Sequence, residues 1–426
     1  MEYEPLSSST QIGLAVFYLF CVTLNVGFAA YCFTKRKDSL QTGIWSLVAF
    51  VFFIHAAAYS AQAGWRLDSS IKMLIDYLMG PVTYFFLACV AFTVMIIYRK
   101  FFTDPIVAWT MLNLSLLLFG WAMTDNNFKS IIAKPDNVPI TILIYSVGFT
   151  TWLAMRRAVI NDERLANGDV PLEKDEEEKV LTWPDLVYTE LIAMVICTFL
   201  LIIWAVFLPA PLEQPASSSR IPNPSKAPWY FLGLQELLVY YDPWMAGVVL
   251  PSLIIVGLIA LPYIDYNQKG NGYYTFNQRP FAVVTFLFGF VVLWVILIIL
   301  GTVLRGPNWN FYGPFEYWDP HKTVPLNNIN LSEIFWLNWF GVSTSSLPWY
   351  IREAPGAILV LGYLALLPPL LAKTILKPMF VKMGFVRFII LVTLIQFMAA
   401  VPIKMVLRWT LNLKYIVAIT EYFFNI

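Results

Sequence analysis

Ten apolar stretches, each close to the ~20 residues that a helix needs to cross a bilayer, limit what this chain of 426 residues can fold into. They run approximately over residues 11–34, 44–64, 74–98, 105–123, 139–155, 187–208, 245–264, 280–304, 355–378 and 386–409. Hydrocarbon offers no partner to a backbone N–H or C=O, so a segment of this kind must satisfy its own backbone as a helix. Composition agrees. Charged residues make up 13% and hydrophobic residues 59% of the chain, against roughly a quarter charged in soluble domains. The expected fold is all-α: a polytopic membrane protein of about ten transmembrane helices. The fourth and fifth stretches carry the weakest signal, being short and interrupted by polar residues.

Other classes are disfavoured. The net charge is +1, and no basic run suggests a nucleic-acid partner. Cys21, Cys32, Cys89 and Cys197 all sit inside apolar segments without a CxxC or CxxCH pattern, so they read as small core residues. The start, MEYEPLSSST, is acidic and lacks the basic region of a cleaved signal peptide.

Orientation follows from the loops. With the N-terminus outside, the inner loops hold Lys35, Arg36 and Lys37, then Arg99 and Lys100, then Arg156, Arg157, Arg164, Lys174 and Lys179. Lys269, Arg279, Lys373, Lys377, Lys382 and Arg387 complete the set, 16 of the 28 basic residues. The clusters that abut span ends all fall on this side, as the positive-inside rule requires. The outer, electrically positive side then receives the stretch from Pro222 to Pro251.

The expected divisions are a five-span membrane domain of unknown role (1–155), a charged inner linker (156–185), a second membrane domain (186–306), an aromatic outer loop (307–354), and two further spans with a tail (355–426). The linker reads as a solvated connector that includes a short helix, or as a docking site for an inner-side partner. The outer loop is dense in Trp, Tyr and Phe and too long for a plain connector. It is expected to lie along the membrane surface, anchored there or touching a partner. Two halves of five spans also suit an inverted-repeat transporter, although the halves share no pattern of broken helices.

Charges within spans are functional suspects, because burying them in lipid is costly. Few occur. His55 sits mid-span among small residues; it is a candidate haem ligand or a histidine bonded to a neighbouring helix. Asp76, Glu190, Lys404 and Arg408 lie near span ends, where snorkelling or interfacial water accounts for them. Glu190 is also a candidate for passing protons to an inner-side quinone. Only His55 and His321 are present, too few for two bis-histidine haems.

The stretch PNPSKAPWYFLGLQELLVYYDPWMAGVVLP, residues 222–251, organises the second half. Trp229, Leu232, Leu237 and Leu238 can face an apolar phase, while Gln235, Glu236 and Asp242 add polar atoms. A phenol, an indole and a carboxylate at the membrane surface suit a lipid-soluble ligand with polar ends, such as a quinone, or an interfacial helix anchored by aromatics.

From Trp183 to Gly306 the motifs fall in a family order. They are Trp183-Pro184-Asp185-Leu186, then Pro211-Leu212-Glu213-Gln214-Pro215-Ala216, Pro222-Asn223-Pro224, and Pro228-Trp229-Tyr230-Phe231. Gly247-Val248-Val249-Leu250-Pro251, Leu261-Pro262-Tyr263, Arg279-Pro280, Phe288-Gly289 and Leu293-Trp294 follow. This region resembles subunit IV of the cytochrome b6f complex, equivalent to the C-terminal part of cytochrome b in bc1 complexes. The resemblance implies a quinol-oxidation site on the positive side, with Pro228, Trp229, Tyr230 and Phe231 shaping the pocket. One electron would pass to a Rieske iron–sulfur protein and on to a cytochrome c-type subunit. The other would pass to haems b on a cytochrome b6-like dihaem partner, so that this chain ligates no haem or metal itself. It also implies a dimeric complex in a bacterial energy-transducing membrane.

One departure stands out. Where the family motif reads Pro-Glu-Trp-Tyr, this chain has Ala227 and Pro228, and proline cannot take the quinol proton that the family's glutamate is thought to accept. Glu236 is the first substitute and Asp242 the second. The departure is compatible with a low-potential quinol such as menaquinol. The expected function is therefore that of a membrane subunit in a bc-type quinol:cytochrome c oxidoreductase. The alternatives are a membrane transporter or a purely structural membrane subunit.

Overall fold

The computed structural model describes residues 6–175, 179–208, 215–219, 221–270, 272–325 and 327–426. Among them, nine helices are long and apolar enough to cross a membrane. They are α1 (Ser8–Arg36), α2 (Ser39–Ser60), α5 (Pro105–Ala122), α6 (Val138–Ala166), α7 (Thr182–Phe207), α9 (Met245–Ile264), α10 (Pro280–Leu304), α11 (Ala354–Lys373) and α12 (Phe385–Leu411). The third expected span is interrupted: α3 (Ser69–Leu78) and α4 (Pro81–Ile97) meet at a break, so together they form a broken span or a re-entrant loop. Gly80, with Pro81 just behind it, supplies the reason, because proline opens a helix readily but cannot continue one. A further helix, α8, covers Trp229–Leu237. The only strands among the described residues, β1 (Ala418–Ile419) and β2 (Phe424–Asn425), form an antiparallel hairpin. The protein is all-α and multi-pass.

Capping fixes several starts. Ser7, Asp38, Asp68 and Asp104 each stand at the N-cap of α1, α2, α3 and α5 and accept a first-turn N–H. The expected charged linker is partly helical: α6 continues through Arg156 and Arg157 to Ala166. Its end folds on the following turn, where Asn161 donates to Glu173 at 2.6 Å and Arg164 pairs with Asp175 at 2.6 Å. The run at residues 211–214 and part of the acidic tract, 176–178, lie outside the described residues.

The chain divides into two compact units. The first holds residues 1–80, 94–217 and 312–318. Its centre is the α1–α2 hairpin, where Leu14, Tyr18, Cys21, Phe52, Ala56 and Tyr59 form an apolar core. An amide network ties α1 to α5: Trp109 Nε1 donates to Asn25 at 3.0 Å, and Asn25 donates to Asn113 at 2.5 Å. Phe315 packs with Leu67, Ala122 and Phe128, and its N–H donates to Asp76 at 2.9 Å. In this unit α7 has no buried residue at all, so Cys197 is exposed rather than part of a core, which corrects the expectation for that cysteine.

The second unit holds residues 81–93, 218–311 and 319–426. Its core is the buried side of α10, with Val292, Leu293, Ile296, Leu297, Leu300 and Leu304, against which α8 packs. Farther along, α9 meets α12 around Ile264, Phe388 and Val392. Gln396 and Tyr363 exchange side-chain-to-carbonyl hydrogen bonds between α12 and α11. Lys404 departs from the expectation of snorkelling. It is 2% exposed and donates to the Lys414 carbonyl at 2.5 Å.

Candidate functional site

Local sequence determines how the stretch 222–251 sits. Pro228 holds φ −52° and ψ 150° at the N-cap of α8, a conformation that suits proline and turns the chain into the helix. Gln235 ties the entry loop back on itself, accepting from Ala227 N–H at 2.8 Å and donating to the Ser225 carbonyl at 2.9 Å. Lys226 donates to the Thr302 carbonyl at 2.7 Å. Close approach of α8 to α10 depends on Gly301, whose added Cβ would lie 3.3 Å from the Leu232 carbonyl oxygen. Leu232 and Leu237 therefore face protein, not an external apolar phase. Leu238 remains exposed.

At the head of α8, Tyr230 and Phe231 are each 52% exposed, and Trp229 is half-buried. Their rings touch in series, Trp229 to Tyr230 at 5.7 Å and Tyr230 to Phe231 at 4.7 Å between centroids. The three expected pocket aromatics thus form one open surface. A cavity of about 310 Å³ lies between α1 and α2, lined by Val26, Ala29, Phe33 and Ser46. A second of about 260 Å³ is lined by Ser332, Glu333, Arg352 and Glu353. Neither includes a residue of the 222–251 stretch.

Glu236 lies one face round the helix and is 0% exposed. Each of its oxygens accepts two hydrogen bonds. Arg305 Nη2 at 2.7 Å and the Tyr240 hydroxyl at 2.8 Å reach Oε1, while Arg305 Nε at 3.0 Å and Trp309 Nε1 at 3.2 Å reach Oε2. Arg305 also donates to the Trp309 carbonyl at 2.6 Å and covers the Phe311 ring at 3.6 Å. Burial opposes the guanidinium charge, but the Glu236 carboxylate outweighs it and holds Arg305 above its ordinary value. Burial first, and Glu236 second, push the Tyr240 phenol well above the ordinary tyrosine range. A carboxylate with four donors and no solvent contact has no lone pair to offer an external hydroxyl. The expectation of Glu236 as an open proton acceptor is corrected on that ground: it belongs to a closed ion pair.

Asp242 is placed differently. It is half-buried, and both its neighbours, the Tyr415 hydroxyl at 3.2 Å and Asn425 Nδ2 at 3.4 Å, reach the same oxygen, Oδ1. Among the described residues nothing donates to Oδ2. Burial and then the Asp242 charge raise the Tyr415 phenol.

The remaining candidates lie apart from this cluster. Glu190 is exposed in the first turn of the regular part of α7. His55 is buried on α2 with Nδ1 2.8 Å from the Val51 carbonyl oxygen. Tyr18, Trp65 and Trp121 surround its imidazole at centroid distances of 5.1, 5.4 and 5.7 Å. That packing is an aromatic cluster around the imidazole. His321 is exposed in the second unit. Among the described residues no three His, Cys, Asp or Glu side chains converge as a metal site. Arg305 escaped the sequence reading because it stands at a span end, where a basic residue ordinarily signals only the membrane boundary. No protein-family model matches the chain, and no solved structure matches it.

Proposed function

We propose that this chain is a membrane subunit of a bc-type quinol:cytochrome c oxidoreductase and supplies part of the quinol-oxidation site on the positive side of a bacterial energy-transducing membrane. The observation that carries the reading is the Pro228–Phe231 run, which stands within the ordered motifs of residues 183–306 and opens outward at the head of a helix held firmly from behind. The aromatic surface supplies one wall; a cytochrome b6-like dihaem partner, with the Rieske protein above it, supplies the rest. Oxidation of a quinol, menaquinol by preference, releases two electrons and two protons. The electrons leave through the Rieske cluster and a haem b, both held by partners, the first continuing to a cytochrome c-type subunit. Trp229 and Tyr230 hold the ring, and Asp242 Oδ2 takes a hydroxyl proton and passes it to water. The complex is dimeric in this reading.

A second reading, a subunit that keeps the architecture without the chemistry, is favoured by the closed state of Glu236. One experiment separates the two. The complex is purified through a tag on this chain, and its reduced-minus-oxidised spectrum and quinol:cytochrome c turnover are measured. Haem b and c bands with turnover that Trp229→Ala or Tyr230→Ala reduces at least tenfold support the catalytic reading. Haem bands with turnover untouched by either substitution support the structural one, and a preparation free of haem removes both.

A further inference from the structure

We propose that residues 329–353 and the C-terminal segment 412–426 together form an element embedded in the lipid headgroup boundary, with the bilayer itself as its occupant. This inference is independent of the quinol reading. Covalent continuity places both pieces at the membrane surface. Residues 349–352 lead directly into the span α11, and residues 412–426 leave the span α12. The pieces are laced together: Leu331 N–H donates to the Tyr415 carbonyl at 3.0 Å, and Lys414 N–H to the Ile329 carbonyl at 2.8 Å. Trp336 Nε1 donates to the Arg352 carbonyl at 3.0 Å.

The element buries an ion pair and turns aromatic rings outward. Glu353 is 3% exposed and accepts from Ala418 N–H at 2.9 Å and from Arg352 Nε at 3.0 Å. Arg352 Nη2 reaches Glu421 at 2.9 Å. Outward, Trp339 is 69%, Phe340 61%, Tyr350 61%, Tyr422 66% and Phe423 88% exposed. Trp349 joins the two pieces, packing on Tyr350 at 5.9 Å and on Tyr422 at 5.7 Å.

Phe423 sharpens the argument. It sits at the turn of the hairpin with φ 52° and ψ 33°, the left-handed region in which a bulky side chain is strained and glycine or asparagine is expected. A phenylalanine there, with its ring turned away from the protein, gains nothing from intramolecular packing. Insertion into the interfacial zone, where aromatic residues collect at membrane surfaces, supplies the missing burial.

Spin labels on Phe423→Cys and Trp339→Cys test this in the full chain, purified with whatever subunits accompany it and reconstituted into phosphatidylcholine vesicles. Cys89 and Cys197 are replaced by alanine first, and a label on Leu258→Cys, an exposed residue of α9, gives the lipid reference. Collision rates with oxygen, which concentrates in lipid, and with an aqueous nickel chelate are compared. The proposal expects oxygen to dominate at both sites, as at the reference. Dominance of the nickel chelate places the rings in water and overturns it. Protection from both relaxants means that a protein partner covers the face, and overturns it equally.

Discussion

Glu236 and Arg305, 69 residues apart in the chain, share a two-pronged hydrogen bond of 2.7 and 3.0 Å with both side chains withdrawn from solvent. One belongs to α8 and the other follows the end of α10, so the pair fixes the aromatic helix to the span behind it. Removing one partner strands a buried charge, which costs about 3–5 kcal/mol, whereas removing both can be nearly neutral. Arg305→Met and Glu236→Gln should each lower the thermal midpoint of the detergent-purified chain by many degrees. The double substitution Glu236→Gln with Arg305→Met should recover most of that loss. A loss in the double variant equal to the sum of the two single losses would show that the two groups are not coupled.

Tyr240 should make the same cluster sensitive to alkali. Its phenol is held well above the ordinary 10.0, by burial and then by Glu236. A group raised on folding keeps its proton longer in the folded state, so its contribution is complete below about pH 10. That contribution is lost as the pH climbs toward the folded value. Tyr240→Phe should cost about 1 kcal/mol at neutral pH, one hydrogen bond's worth, and should flatten the decline above pH 10. An unchanged alkaline decline in thermal midpoint would assign it to other groups.

Much of the fold was legible because hydrocarbon allows so few solutions. The stretches at 105–123, 245–264 and 280–304 each became one helix within a residue of the expected ends. Where the sequence misled, local chemistry was outvoted by hydropathy or by contacts remote in sequence. The run 74–98 is apolar throughout its second half, and that hid the stop signal of Gly80-Pro81. Arg156 and Arg157 open the linker, where a short helix is expected; that helix is the end of α6, which runs on from the span to Ala166. The Glu236–Arg305 pair could not be read at all. Each residue alone looks like a boundary charge, and only folding brings α8 beside the end of α10. The surface of Trp229, Tyr230 and Phe231 was legible as a motif, but whether its neighbours close a pocket depends on packing that composition does not encode.

Gly356 should tolerate nothing larger. A Cβ there would run into the Ile416 carbonyl of the segment that follows α12. Helix propensity alone would make Gly356→Ala stabilising by about 1 kcal/mol. The clash is with backbone, which cannot rotate away, so overpacking of about 1–3 kcal/mol should dominate. Freed from α11, residues 412–426 should become cleavable at Lys414. Limited trypsin digestion followed by mass spectrometry would detect the released peptide, and resistance equal to that of the unsubstituted chain would mean that the segment adjusts without detaching.

Asp242 provides the sharpest test of the proposed chemistry. Its Oδ2 is open while Oδ1 is steadied by Tyr415 and Asn425, an arrangement that lets a carboxylate accept a proton without losing its position. Loss of a positioned base typically slows a reaction by about 10²–10⁴-fold. Asp242→Asn should therefore cut quinol:cytochrome c turnover by about 10²-fold, while leaving haem content and thermal midpoint near those of the unsubstituted complex, because the amide still accepts from Tyr415. Raising the pH should restore part of the rate as hydroxide takes over the proton. Glu236→Gln acts through the position of α8, so its loss of turnover should follow its loss of stability and show no such recovery. A folded Asp242→Asn complex with undiminished turnover would remove Asp242 from the proton path, and a pH-dependent rescue in Glu236→Gln would return the role to the buried pair.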